Sequence, residues 1–166
     1  MKRLIRLSVF LLVCLLLVNC SATRRLKPGQ HLYTGAEVII NPDSSARIED
    51  KNQVKKTLES KTRPRPNKSF LGFRYKLFLY NLAADTVKPR GLGNWLKNKV
   101  GEKPVLMSDV KIKYNNDVLK SYLISQGYLQ ADVTGDTVVK KKTGKAIYTA
   151  NTGIRYKINS ITFPKD

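Results

Sequence analysis

From Ile112 to Gln126 the apolar and aromatic residues return at helical spacing. Ile112, Leu119 and Leu123 fall on one line, Tyr114, Val118 and Tyr122 on the next, while Lys111, Lys113, Lys120 and Ser121 face away. This predicts an amphipathic helix with one broad apolar face. Gly127 follows directly, where a helix end needs a residue tolerant of a left-handed backbone. The period then changes to two. In Tyr128–Val133, Ala131 and Val133 point one way and Gln130 and Asp132 the other, and Thr137-Val-Val139 continues the strand. Lys140-Lys-Lys-Thr-Gly144 is a turn signal, and Ala146-Ile-Tyr-Thr149 resumes as a partner strand. Beyond Gly153, Tyr156, Ile158, Ser160 and Thr162 alternate with Lys157, Asn159, Ile161 and Phe163, which predicts one more strand.

Upstream, His31–Asn41 is a strand by its alternation and ends in the turn Asn41-Pro-Asp-Ser-Ser45. Glu49–Ser60 is a helix, with Ile48, Val54 and Leu58 on its buried side and Lys51, Lys55 and Lys56 on its wet side. Two prolines in Thr62-Arg-Pro-Arg-Pro-Asn67 then forbid a helix interior. Phe70–Leu82 is dense in aromatic and aliphatic residues and carries Arg74 and Lys76, which suits a short helix or an extended clamp. Basic residues among aromatics can stack on nucleic acid; a second hydrophobic layer on the core is the favoured reading. Leu92–Val100 is a short helix expected to turn Trp95 and Leu96 inward, and Gly101-Glu-Lys-Pro-Val105 ends it.

The first residues change the picture more than composition does. Lys2, Arg3 and Arg6 precede an apolar run of 12 residues, Leu7–Val18, which is too short to span a bilayer comfortably. The run ends in Leu17-Val-Asn-Cys20, which resembles the bacterial lipobox, although Asn19 stands where a small residue is usual. The resemblance implies cleavage after a signal peptide of residues 1–19 and attachment of lipid, palmitate among its acyl chains, to Cys20. Cys14 falls in the leader, so the mature chain is expected to hold no free thiol, disulfide or thiolate metal site. Residues 20–30 form a tether or plain linker in which Arg24, Arg25 and Lys27 would lie near head groups.

The whole chain has 31 basic and 12 acidic residues over 166 positions, a net charge of +19. Without the leader, 28 basic residues still face 12 acidic ones. Such a charge favours anionic partners without choosing among them. The expected export places anionic lipid ahead of nucleic acid, and no nucleic-acid role is expected.

Enzyme chemistry finds little support. His31 is the single histidine, at a strand start where a structural role is the expectation. No nucleophile–base pair or carboxylate pair stands out. Gly91-Leu-Gly93 and Thr143-Gly-Lys145 lack the strand–turn–helix setting of a nucleotide loop. Neither a cofactor nor a metal is expected.

The element order resembles the polypeptide-transport-associated (POTRA) domain of the BamA/TamA family of outer-membrane assembly factors. Gly101-Glu-Lys-Pro-Val105 is similar to the connector between the two POTRA helices, and Asp117–Tyr128 to the second helix with its Gly-Tyr ending. Ala131-Asp-Val133 is similar to the start of the second strand, and Asn151–Phe163 to the junction between successive repeats. Arg63–Asn67, Leu79-Tyr-Asn81 and Gly91–Leu96 resemble the insert of lipoprotein, TamL-like members from Bacteroidetes-type bacteria.

The resemblance implies an α+β fold of order β-α-α-β-β, a three-stranded mixed sheet covered by two helices. Residues 31–153 would form the domain, with an insert at about 62–100, and 154–166 the first strand of a following repeat. Family members continue into a membrane-spanning β-barrel, so a fragment of a longer protein is expected, and barrel-dependent insertion does not carry over to this chain.

The implied role is binding without chemistry at the periplasmic side of the outer membrane. The partners implied are nascent barrel proteins or a TamB-like partner, together with outer-membrane lipid. In the family the second strand is the usual accepting edge, here Gln130, Ala131, Asp132, Val133 and Thr134 within about Leu129–Val139. The charged and small residues of that stretch equally suit an edge that merely resists aggregation. A free-standing basic lipoprotein that binds anionic lipid or polysaccharide is the alternative.

Overall fold

Three strands form one sheet in the order β1–β3–β2, with β1 at Leu32–Asn41, β2 at Asp132–Lys140 and β3 at Thr143–Asn151. The structure is a computed structural model and describes residues 3, 6, 22–42, 50–84 and 88–163. Partners on β1 and β3 advance together: Thr34 Oγ1 donates to the Gly144 carbonyl at 2.9 Å, and Thr152 N–H to the Asn41 carbonyl at 3.2 Å. Those strands are therefore parallel. The short turn at Lys141 and Lys142 makes β2 antiparallel to β3, so the sheet is mixed.

The helices are α1 (Lys51–Lys61), α2 (Tyr75–Leu82), α3 (Leu92–Trp95) and α4 (Ile112–Ser125). The α+β class is as expected. The final strand is not. Residues 154–163 carry no strand and are exposed; Tyr156 N–H bonds the Gly127 carbonyl at 2.8 Å and Arg155 Nε the Gln126 carbonyl at 2.9 Å, so the segment starts along the end of α4 instead of joining the sheet.

Contacts divide the chain into two compact units. The second holds Gly35–Pro64, Val110–Val138 and the residues from Lys145 onward. Its strands bury alternate side chains: Val38 and Ile40 on β1, Val133 on β2, and Ala146, Tyr148 and Ala150 on β3. Leu58 of α1 and Leu119 and Leu123 of α4 are fully buried. Each such leucine contributes about 1.5–3 kcal/mol. The helices pack together, with the Lys61 ammonium 4.4 Å from the centre of the Tyr122 ring.

The end of α4 follows from its sequence. Gly127 has φ 92°, its N–H bonds the Ile124 carbonyl at 2.9 Å, and Tyr128 N–H bonds the Leu123 carbonyl at 3.0 Å. This paired closure satisfies carbonyls that the helix leaves open, with Leu123 and Tyr128 both buried. Two residues depart from the predicted face. Tyr114 is exposed, and Asn115, between Ile112 and Leu119 in the buried register, is wholly inside.

The first unit holds the described residues up to Thr34, with Arg65–Asp109 and Val139–Gly144. Leu77 of α2 is buried with Leu26 and Leu32, and Ala22 and Leu106 pack against them. Asn67 is buried and serves as a main-chain substitute: its Nδ2 donates to the Lys103 carbonyl at 2.7 Å, and its Oδ1 accepts Val105 N–H at 2.9 Å. At Gly101 the chain passes close to α2. A Cβ there would collide with the Leu96 carbonyl and lie 2.9 Å from Tyr80 Cα, so only glycine fits.

Two expectations fail in this unit. Trp95 is 52 % exposed rather than inward, although Leu96 is half-buried. Neighbouring helical residues lie about 100° apart, so turning Leu96 inward carries Trp95 aside; α3 then runs straight into a π-helical turn, Leu96–Val100. Phe70 and Leu71 do not form a second core layer, because both lie outside, on a turn before α2.

Candidate functional site

A three-stranded sheet has two margins, and here they differ. The outer side of β1 is occupied. Tyr33 N–H donates to the Val105 carbonyl and Met107 N–H to the His31 carbonyl, each at 2.8 Å, around an antiparallel bridge between Leu32 and Leu106. Farther along, Glu59 Oε1 on α1 accepts Val38 N–H at 3.2 Å. Among the described residues, no strand pairs with the outer side of β2.

Strand β2 begins at Asp132, four residues later than the alternation from Tyr128 suggests. Of the expected edge residues, Gln130 and Ala131 therefore precede it, while Asp132, Val133 and Thr134 lie on it. The side chains of Ala131 and Val133 are buried, and those of Gln130, Asp132 and Thr134 are exposed. Buried Val133 aligns the strand and the exposed residues hydrate its margin. Tyr128 is buried just before a turn at Leu129 and Gln130, which explains the late start.

At Gly135 the strand passes close to α4. A Cβ there would lie 2.7 Å from Asn116 Oδ1 and 2.8 Å from both Ile112 Cγ2 and Tyr148 Cδ1. Beyond it Asp136, Thr137, Val138, Val139 and Lys140 are all exposed. Asp136 Oδ1 accepts Thr137 N–H at 2.6 Å. Lys120 and Asp132 form an exposed pair at 3.1 Å, worth little in stability. Val138 and Val139 lie within the expected stretch Leu129–Val139 and are adjacent exposed valines, though not among the five residues named for contact. Their signal was two neighbouring apolar residues in a strand of period two.

His31 sits just before β1, and its Nδ1 lies 3.0 Å from the Lys141 carbonyl, a contact that ties strand start to hairpin turn. No group of three or more His, Cys, Asp or Glu side chains converges among the described residues. Cys20 and the apolar run Leu7–Val18 lie outside the described residues. No helix among the described residues is long and apolar enough to cross a membrane.

Chemically, the margin of β2 offers main-chain donors and acceptors in a row. Such a row recognises an extended backbone, whatever its side chains. In comparison with known proteins, the chain matches no family model, no curated protein and no solved structure.

Proposed function

We propose that the chain is a non-enzymatic, POTRA-like binding module of an outer-membrane assembly factor. Lipid on Cys20 holds it at the periplasmic side of the outer membrane. It docks extended polypeptide, a nascent barrel protein or a TamB-like partner, by adding a strand to β2.

The observation that carries this reading is the difference between the margins. The one on β1 is filled by the chain itself, and the one on β2 has no partner among the described residues. The order β1–α1–α4–β2–β3 of the second unit supports it further. Exposed Asp132, Asp136 and Lys140 discourage pairing between copies of the margin without removing its main-chain groups.

Hydrogen exchange with a peptide from an unfolded barrel protein tests the reading. Amides of Asp132–Lys140 slow on binding, and those of β1 do not. Protection confined to any other element overturns the proposal.

A further inference from the structure

In the first unit, one stretch presents more apolar surface than its fold requires. Phe70 and Phe73 exchange two main-chain hydrogen bonds of 2.9 Å, which close a tight turn over Leu71 and Gly72, with φ 47° and 80°. Leu71 at the tip is 92 % exposed and Phe70 is 69 % exposed. Helix α2 starts two residues later. Its Leu77 is buried, and Tyr75, Phe78 and Leu82, at helical spacing i, i+3 and i+7, share another face. The rings of Phe73 and Phe78 are 5.7 Å apart and join the turn to the helix. Leu82, at the far end, is 60 % exposed. The result is one apolar strip along a helix about 12 Å long.

A shallow depression lies at each end of the strip, and cations line both. One, of about 480 Å³, is bordered by Lys68, Ser69, Phe70, Phe73 and Tyr75. The other, of about 460 Å³, is bordered by Arg24, Arg25, Phe78, Asn81 and Leu82. Among the described residues, none of those lining either one is acidic. Arg25 donates to the Ala83 carbonyl and so stays beside the end of α2. Asn81 Nδ2 donates to the Ala22 carbonyl at 3.4 Å. Ala22 is two residues from Cys20, so a lipid on that cysteine would begin within about 7 Å of Ala22 along the chain.

We infer that this strip is a bilayer-docking face. Phe70, Leu71, Phe78 and Leu82 enter the interface of an anionic phospholipid membrane, and Lys68, Arg24 and Arg25 meet its phosphates. Shape favours lipid over a protein partner. The tip at Leu71 is a protrusion, and a fluid interface accepts a protrusion without a matching cavity. Charge favours lipid too, because basic residues beside aromatic and aliphatic ones are the composition of interfacial helices. The inference is independent of strand addition at β2 and goes beyond it. Docking the strip would hold the first unit on the membrane as well as tethering it by one chain.

The test uses the full chain in proteoliposomes of phosphatidylcholine and phosphatidylglycerol at about 3:1. The lipids carry bromine on their acyl chains, which quenches tryptophan only on contact. Trp95 is the single tryptophan, so a Leu71→Trp, Trp95→Phe variant reports the tip alone. A Val138→Trp, Trp95→Phe variant is the control, on the exposed end of β2. The strip predicts quenching of about twofold or more at position 71, with a blue-shifted emission, and little at position 138. Adding Arg24→Glu and Lys68→Glu to the first variant weakens the quenching.

Quenching at 71 no greater than at 138 overturns the inference. So does a quenching that ignores the two charge reversals. A tip that is unquenched in vesicles but shielded by an added soluble protein would assign the strip to a protein partner and equally overturn it. None of these outcomes bears on peptide capture by β2.

Discussion

Asn115 holds the peptide group of Arg63 by both ends of its amide. Its Oδ1 accepts Arg63 N–H at 2.8 Å, and its Nδ2 donates to the Arg63 carbonyl at 2.7 Å. The same Nδ2 donates to the Tyr148 hydroxyl at 2.7 Å. One side chain of α4 thereby fixes the chain leaving α1 and a residue of the central strand. Truncation to Asn115→Ala removes the partner of the buried Tyr148 hydroxyl and of two part-buried main-chain groups of Arg63, and polar groups left without partners inside the protein are costly. The expected loss is about 2–3 kcal/mol, read as a lower urea midpoint with an unchanged slope. A midpoint like that of the wild type would show that these bonds hold nothing.

Gly135 sets how closely β2 approaches α4. Any Cβ there meets Asn116, Ile112 and Tyr148 below 3.0 Å; Asn116 Oδ1 ends a side chain that can turn aside, but the Tyr148 ring is fully buried and Ile112 Cγ2 sits on a branched Cβ. Gly135→Ala is expected to cost on the order of 1–3 kcal/mol, because the strand must shift off the helix. Thr134→Ala, next to it and exposed, serves as the control and changes stability by less than about 0.5 kcal/mol. Thermal melts of the two variants decide it.

Much of the framework was legible because it rests on periods that sequence displays. The alternation over His31–Asn41 became β1, and the helical lines of Leu119 and Leu123 became the buried face of α4, closed at Gly127. What escaped has physical reasons. Asn115 stands in the buried register, three residues after Ile112 and four before Leu119, but a polar residue there reads as an interruption until its partners are known. Asn67 escaped in the same way, since its partners lie at Lys103 and Val105. Phe70, Leu71 and Trp95 were assigned inward on hydrophobicity alone. Hydrophobicity does not distinguish a residue that fills its own core from one left for another surface. For the edge, the expected stretch Leu129–Val139 overlaps β2, which begins only at Asp132, so Gln130 and Ala131 precede the strand.

Tyr148 couples the core to pH. It is fully buried, and burial raises its hydroxyl above the usual tyrosine range, partly offset by the bond from Asn115. A raised value in the folded state means that the unfolded chain releases its proton first. The contribution is therefore complete below about pH 10, the value for an unfolded tyrosine, and is lost as pH rises through the folded value. Stability measured by urea titration should be level with respect to this group near neutrality and fall on the alkaline side. Tyr148→Phe should flatten that fall, and an equal alkaline loss in this variant would exclude Tyr148 as its source.

Strand addition can be separated from charge-led binding at one residue. Thr137 is exposed on β2, and its N–H bonds the neighbouring Asp136 side chain, which an added strand would displace to take that donor. Proline there removes a donor from the strand without touching buried Val133, where the same change would also damage the core. Thr137→Pro should keep the far-ultraviolet spectrum and a cooperative melt, and should weaken capture of an unfolded barrel-protein peptide by about tenfold or more. Capture by the unaltered chain should persist in high salt, because main-chain bonds on a margin are screened far less than exposed charges. Binding through the chain's +19 charge would instead fall steeply as the Debye length shrinks, and would pass unchanged through Thr137→Pro. Peptide titrations of both proteins at low and high salt give four affinities. Strand addition requires a loss in the variant at both salts and little change with salt in the unaltered chain.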